Sequence, residues 1–203
     1  MSAPKSCMKK SSASDEQVAQ VNEQDPMVEA FQEGDIFVYP TEAVIGIGCD
    51  PDNEEAVRRL CELKQRPLHK GVILIADTYS RLFKYVNDAA IPMERRTEIF
   101  SSWPGPYTWL LPKSKDAPAW ITGEHDSIAV RVTAHKGVVE LCQRLGSPLV
   151  STSANLAGEE PCRTIEGART VFKDTVVYVE GETDGNPQPS IIRDGATGKT
   201  LRG

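Results

Sequence analysis

The chain has 203 residues, of which 39% are hydrophobic and 26% charged, and its formal net charge is −6. That length and composition predict one globular domain with a sizeable core. The acidic balance excludes a protein that coats nucleic acid by bulk charge, and no apolar run approaches the roughly 18 residues of a membrane-spanning helix.

Residues 1–23 are polar, rich in Ser and Lys, and without apolar periodicity. They predict a disordered tail, set at 1–19, ahead of one domain at 20–203. Lys9 and Lys10 are followed by no apolar stretch, so a signal peptide is not expected, and the localisation expected is cytoplasmic. Asp25 and Pro26 then stand as N-cap and first residue of a helix that Gly34 ends. Ile36 to Tyr39 is a β-prone run stopped by Pro40. A second helix is expected from Asp52. Its stripe of Ala56, Val57, Leu60 and Cys61 ends on Lys64, because Pro67 disfavours helical angles at Arg66.

Gly71 to Ala76 is a continuous apolar run that suits a strand buried on both faces. Further on, residues 92–100 and 136–145 predict helices, the second closed by Gly146; residues 107–111 and 127–132 predict strands. Leu149-Val150 is a short strand running into a polar loop, Ser151 to Asn155. Thr164 to Phe172 predicts a helix, and 176–179 and 190–193 predict strands. This alternation without a repeat gives an α/β or α+β class with a mixed sheet.

Three segments carry groups able to do chemistry. Tyr39-Pro40-Thr41-Glu42 follows a strand, where a hydroxyl and a carboxylate either reach a ligand or cap a turn. Lys64, Arg66 and Lys70 lie within seven residues around a Pro-stiffened turn. Such a cluster is either a solvated charged turn or a polyanion site, with Arg supplying a planar fork and Lys a point charge. Ser151 to Asn155 presents small hydroxyls and an amide; it either caps the chain or cradles phosphate. It lacks the glycines and lysine of a P-loop, and GxSxG is absent.

Trp103-Pro104-Gly105-Pro106 predicts a rigid corner before Thr108. Arg131 interrupts an apolar alternation, so it needs a protein acid or a ligand anion as partner. Arg193 and Asp194 are adjacent and can pair with each other. The five cysteines contain no CxxC, and the three histidines have no ligand spacing, so no metal site is expected.

Tyr-Pro-Thr-Glu-Ala at 39–43, Lys-Gln-Arg-Pro at 64–67, Trp-Pro-Gly-Pro at 103–106, Ala-Val-Arg-Val at 129–132 and Ser-Thr-Ser-Ala-Asn at 151–155 together resemble the YrdC/Sua5 family of threonylcarbamoyl-AMP synthases in its short bacterial form. The resemblance runs from about residue 20 onward. It implies an α/β fold: a single-domain twisted mixed sheet, flanked by helices, around a concave, positively charged cavity. The activity implied is that of a nucleotidyltransferase. It makes threonylcarbamoyl-AMP and pyrophosphate from L-threonine, bicarbonate or CO2, and ATP, for threonylcarbamoyladenosine modification of tRNA.

By motif position, Lys64 and Arg66 are the implied catalytic residues. Lys64, Lys70, Thr108, Ser151, Ser153 and Asn155 are implied at the nucleotide, and Thr41, Arg66 and Arg131 at threonine or the carbamate. Arg193 is a further candidate. Ile75 stands about where Sua5-type members carry a threonine-contacting histidine. Mg²⁺ is expected as the companion of ATP, held by its phosphates. The partners implied are tRNA or double-stranded RNA and a downstream threonylcarbamoyl-transferase complex, with no membrane and a monomeric state. A double-stranded RNA- or tRNA-binding module without turnover is the alternative, although no RRM, KH or dsRBD pattern is present.

Overall fold

The computed structural model describes residues 25–202; the tail expected over 1–19 lies outside them. Helices α1 (Pro26–Gln32), α2 (Glu54–Leu63), α3 (Met93–Ser101), α4 (Ala119–Thr122), α5 (Lys136–Leu145) and α6 (Ile165–Phe172) surround one twisted sheet. Its strands are β1 (Phe37–Pro40), β2 (Ile45–Gly48), β3 (Ile73–Ala76), β4 (Tyr107–Pro112), β5 (Ser127–Val132), β6 (Leu149–Ser153), β7 (Val177–Tyr178), β8 (Ile191–Asp194) and β9 (Thr200–Arg202). The order is β7-β1-β2-β6-β3-β5-β4-β8-β9, with parallel pairs β1/β7, β3/β5 and β4/β8 and antiparallel pairs elsewhere. This is the mixed α/β sheet expected.

Alternation along the strands sorts their side chains between two faces. One face carries Val38, Ile45, Ile47, Leu74, Trp109, Val130 and Val150 and packs on α2, α3 and α6. The other carries Phe37, Tyr39, Ile75 and Leu149, covered by α1 and α5 through Val28, Phe31, Val138, Leu141 and Cys142. Each such fully buried aliphatic side chain contributes about 1.5–3 kcal/mol. These two helices cover only part of that second face, and the uncovered part is the floor of a cavity.

The sequence placed most elements. Asp25 caps α1, its carboxylate accepting from the Met27 amide, and α5 ends at Gly146, which adopts the left-handed conformation (φ 67°). Three differences have clear causes. The helix expected from Asp52 begins at Glu54, because Asn53 caps it by accepting from the Ala56 amide (3.0 Å), while Asp52 pairs with Lys84. Strand β2 was not expected, since two of its four residues, Gly46 and Gly48, are poor strand formers. A Cβ at Gly48 would lie 1.6 Å from the Val150 carbonyl oxygen, so close passage of β6 requires glycine there. The polar run expected as a loop is strand as far as Ser153, pairing with β2 and β3. Helix α4 and strand β9 are short elements without a distinct pattern.

Candidate active site

The uncovered part of the sheet floors a cavity of about 480 Å³. Alternation again decides what it contains. From β4 come Thr108 and Leu110, from β5 Ala129 and Arg131, from β3 Ile73 and Ile75, and from β6 Ser151 and Ser153. Thr41 and Glu42 enter from the β1–β2 turn, Arg66 and Lys70 from the turn after α2, and Ser190 and Arg202 from the β8–β9 side. The lining thus holds four guanidinium or ammonium groups (Arg66, Lys70, Arg131 and Arg202) against one carboxylate, Glu42. Low-dielectric walls and an excess of cations suit a polyanion with an apolar part.

The Lys64 to Lys70 segment reaches the cavity through a sharp turn. Lys64 caps α2, and Gln65 takes a positive φ of 53°. Arg66 returns its amide to the Cys61 carbonyl (2.8 Å), and its guanidinium donates to the Gly71 carbonyl (2.9 Å). Arg66 Nε is buried and has no protein acceptor.

Lys64 itself is not a lining residue. It is buried, and its ammonium donates to the main-chain carbonyls of Ser153 (2.5 Å) and Asn155 (2.7 Å). The Lys64 carbonyl accepts from the Ala157 amide (3.1 Å). Burial draws its pKa down to about 8, and the neighbouring Arg66 charge adds to the effect. Asn155 also lies behind the wall. It accepts from the Ser153 hydroxyl (2.6 Å) and donates to the Leu156 and Glu159 carbonyls (2.8 and 2.9 Å). Lys64, Ser153 and Asn155 therefore meet, but only Ser153 of the three lines the cavity.

Arg131 finds the protein acid its burial demands. It forms a close ion pair with Glu42, whose other oxygen accepts from the Thr133 hydroxyl (2.7 Å). Arg131 Nε remains buried and without an acceptor. Thr41 lines the cavity while its hydroxyl donates to the Val44 carbonyl (2.7 Å), so turn-making and cavity-lining coexist. Thr108 and Ser190 place their hydroxyls 3.0 Å apart on the cavity wall.

Arg193 corrects an expectation. It pairs across β4 with Trp109, not Thr108, so it lies on the opposite face of the sheet. There its guanidinium bonds Glu98 (2.6 Å) and stacks over Trp109 with its centre 5.0 Å from the ring centroid. Arg202 was missed; a three-residue strand gives the sequence no alternation to show which face it takes. The Trp103–Pro106 corner is structural, tying β4 to β5 through the Gly105 amide and the Val132 carbonyl (2.9 Å). Among the described residues there is no group of three or more His, Cys, Asp or Glu able to hold a metal, and no helix is long and apolar enough to cross a membrane.

The Sua5/YciO/YrdC family model, described as telomere recombination, matches residues 29–202. A threonylcarbamoyl-AMP synthase of Pseudoalteromonas atlantica is 55% identical over 178 residues, covering 88% of this chain and 95% of that protein. One from Escherichia coli O1:K1 is 52% identical over 175 residues, covering 86% and 92% respectively. The crystal structure of P. abyssi Sua5 complexed with L-threonine is 31% identical with a TM-score of 0.75, over 82% of this chain; the chain spans about half (49%) of that longer protein. By its cavity, its fold and these likenesses, the chain belongs to the Sua5/YciO/YrdC family.

Proposed function

We propose that the cavity is the active site of a threonylcarbamoyl-AMP synthase, a nucleotidyltransferase that joins L-threonine, bicarbonate and ATP and releases pyrophosphate and water. The observation that carries this is the pairing of four cations with serine and threonine hydroxyls in one cavity, in a chain 55% identical to a protein of that activity. The amine of threonine condenses with bicarbonate to a carbamate. A carbamate oxygen then attacks the α-phosphorus of ATP, and pyrophosphate departs with the cleaved P–O electron pair. No protein nucleophile is needed; alignment and stabilisation of phosphate charge carry the rate.

Arg66 and Lys70 neutralise phosphate and carbamate charge, and Thr108, Ser151 and Ser153 hold nucleotide oxygens. Thr41 and Arg131 receive the threonine end. Lys64 and Asn155 act from behind the wall: they fix the main chain that presents Ser153. Mg²⁺ travels with ATP, bound by its phosphates. The product is consumed by a threonylcarbamoyl-transferase complex acting on tRNA, and this protein works as a cytoplasmic monomer.

The test is pyrophosphate release by the purified protein with ATP, omitting threonine or bicarbonate in turn. Release that requires both supports the proposal. Release indifferent to threonine, or none, overturns it, and tight salt-sensitive RNA binding without turnover would put an RNA-binding module in its place.

A further inference from the structure

Strand β7 lies at one end of the sheet order and β8 near the other, so residues 179–190 must cross the molecule between them. They do so along the cavity rim. Gln188, Pro189 and Ser190 line the cavity, while Gly181, Glu182, Asp184, Gly185 and Pro187 are exposed. Gly181 and Gly185 take positive φ (150° and 75°), and the segment contains no regular element. Two main-chain groups near its middle bond to the cavity side. The Asn186 amide donates to the Glu42 carbonyl (3.0 Å). The Glu182 carbonyl lies 3.1 Å from His135 Nε2. His135 Nδ1 accepts from the Val138 amide (3.3 Å) as the N-cap of α5, so the ring proton sits on Nε2 and is donated to Glu182.

Both holding points belong to one network. The His135 amide donates to the Thr133 hydroxyl (3.1 Å), that hydroxyl donates to Glu42, and Glu42 pairs with Arg131 in the cavity. We propose that residues 179–190 form a strap that closes over the amino-acid end of the cavity, with His135 as the positioning residue that sets its closed register against Glu42 and Arg131. The inference rests on the synthase reading of the cavity. Opening the strap over residues 182–187 breaks three hydrogen bonds, those at Glu182 and Asn186 and a longer one from Arg163 to the Pro187 carbonyl (3.4 Å), in a run of exposed and half-buried residues, while Val179 and Ser190 anchor its two ends; closing it screens the Glu42–Arg131 pair from water.

The test uses His135→Asn. Asparagine is a strong N-cap, so it keeps the bond to the Val138 amide, but it cannot reach Glu182. The KM for threonine should rise about three- to tenfold, the worth of one hydrogen bond, with kcat and the thermal midpoint nearly unchanged. Threonine should slow hydrogen exchange at residues 182–186 in the wild type and not in the variant. Asn186→Pro removes the other holding bond and should raise the same KM; it decides alone if His135→Asn lowers the thermal midpoint. A wild type that turns over while both variants keep its threonine KM and exchange pattern overturns the strap. A wild type that releases no pyrophosphate overturns the synthase reading instead.

Discussion

The Lys64 ammonium donates to the Asn155 carbonyl over 2.7 Å, tying the end of α2 to the chain leaving β6, 91 residues away. Removing it leaves the half-buried Asn155 carbonyl without this donor, a loss of about 1–3 kcal/mol, and leaves the Ser153 carbonyl only the Asn155 amide (3.0 Å). Lys64→Met should therefore lower the thermal midpoint and, by releasing Ser153, cut pyrophosphate release about 100-fold, the lower end of what losing a charge-stabilising contact costs. Differential scanning calorimetry beside the turnover assay separates the two effects.

The same lysine predicts a pH dependence. Its folded pKa of about 8 lies below the usual 10.5, so between these values the unfolded chain binds more protons. The titration-linked part of its contribution to stability is fully present above about 10.5 and is lost as pH falls through 8, while its hydrogen bonds to Ser153 and Asn155 remain at lower pH. The neutral amine still offers two N–H groups to its two carbonyls. Urea unfolding of wild type and Lys64→Met should show the wild type gaining relative stability as pH climbs through this window; a constant difference would contradict the buried ammonium.

Arg66 and Arg193 form a contrasting pair. Arg66 faces the cavity, and Arg66→Ala should lower kcat/KM about 10²- to 10³-fold. Lysine should rescue little, because it lacks the planar fork. Arg193 holds Glu98 and stacks on Trp109 on the far side of the sheet. Arg193→Ala should lower the thermal midpoint while leaving the KM values for ATP and threonine unchanged.

Glu42 and Arg131 should behave as a unit. Glu42→Gln leaves a buried guanidinium uncompensated, which typically costs about 3–5 kcal/mol. Adding Arg131→Met removes the stranded charge. The double variant should be more stable than the sum of the two single changes, by denaturant unfolding, while staying inactive toward threonine.

Turnover should also require a divalent cation supplied with the nucleotide. Chelation should abolish pyrophosphate release without lowering the thermal midpoint of the ligand-free protein, since among the described residues no group of three or more His, Cys, Asp or Glu is placed to hold a metal.

Local chemistry made much of the fold legible. Helix α5 keeps its expected bounds because an apolar stripe and a left-handed glycine define both ends. The cation cluster was visible as charge density beside an apolar strand. What the sequence hid depends on register and distance. Whether Arg193 faces the cavity turns on its pairing with Trp109 and not Thr108, a one-residue difference that exchanges sheet faces. The acid that partners Arg131 stands 89 residues earlier in the chain, and nothing local marks Glu42 for that role. The polar run at 151–153 looked like a loop because its hydroxyls face a cavity where most strands would bury apolar side chains.

Strand β6 joins two groups of strands, with β2 on one side and β3 on the other. A chain emerging from the ribosome therefore has β2 and β3 ready long before Leu149 arrives to bridge them, and until then each half presents an unpaired edge. Because Ile47 must meet Thr152 and Leu74 must meet Val150, closure waits on contacts distant in sequence, which slows folding and prolongs exposure of those edges. Chaperone dependence during synthesis should accordingly end only once residues 149–153 have cleared the exit tunnel.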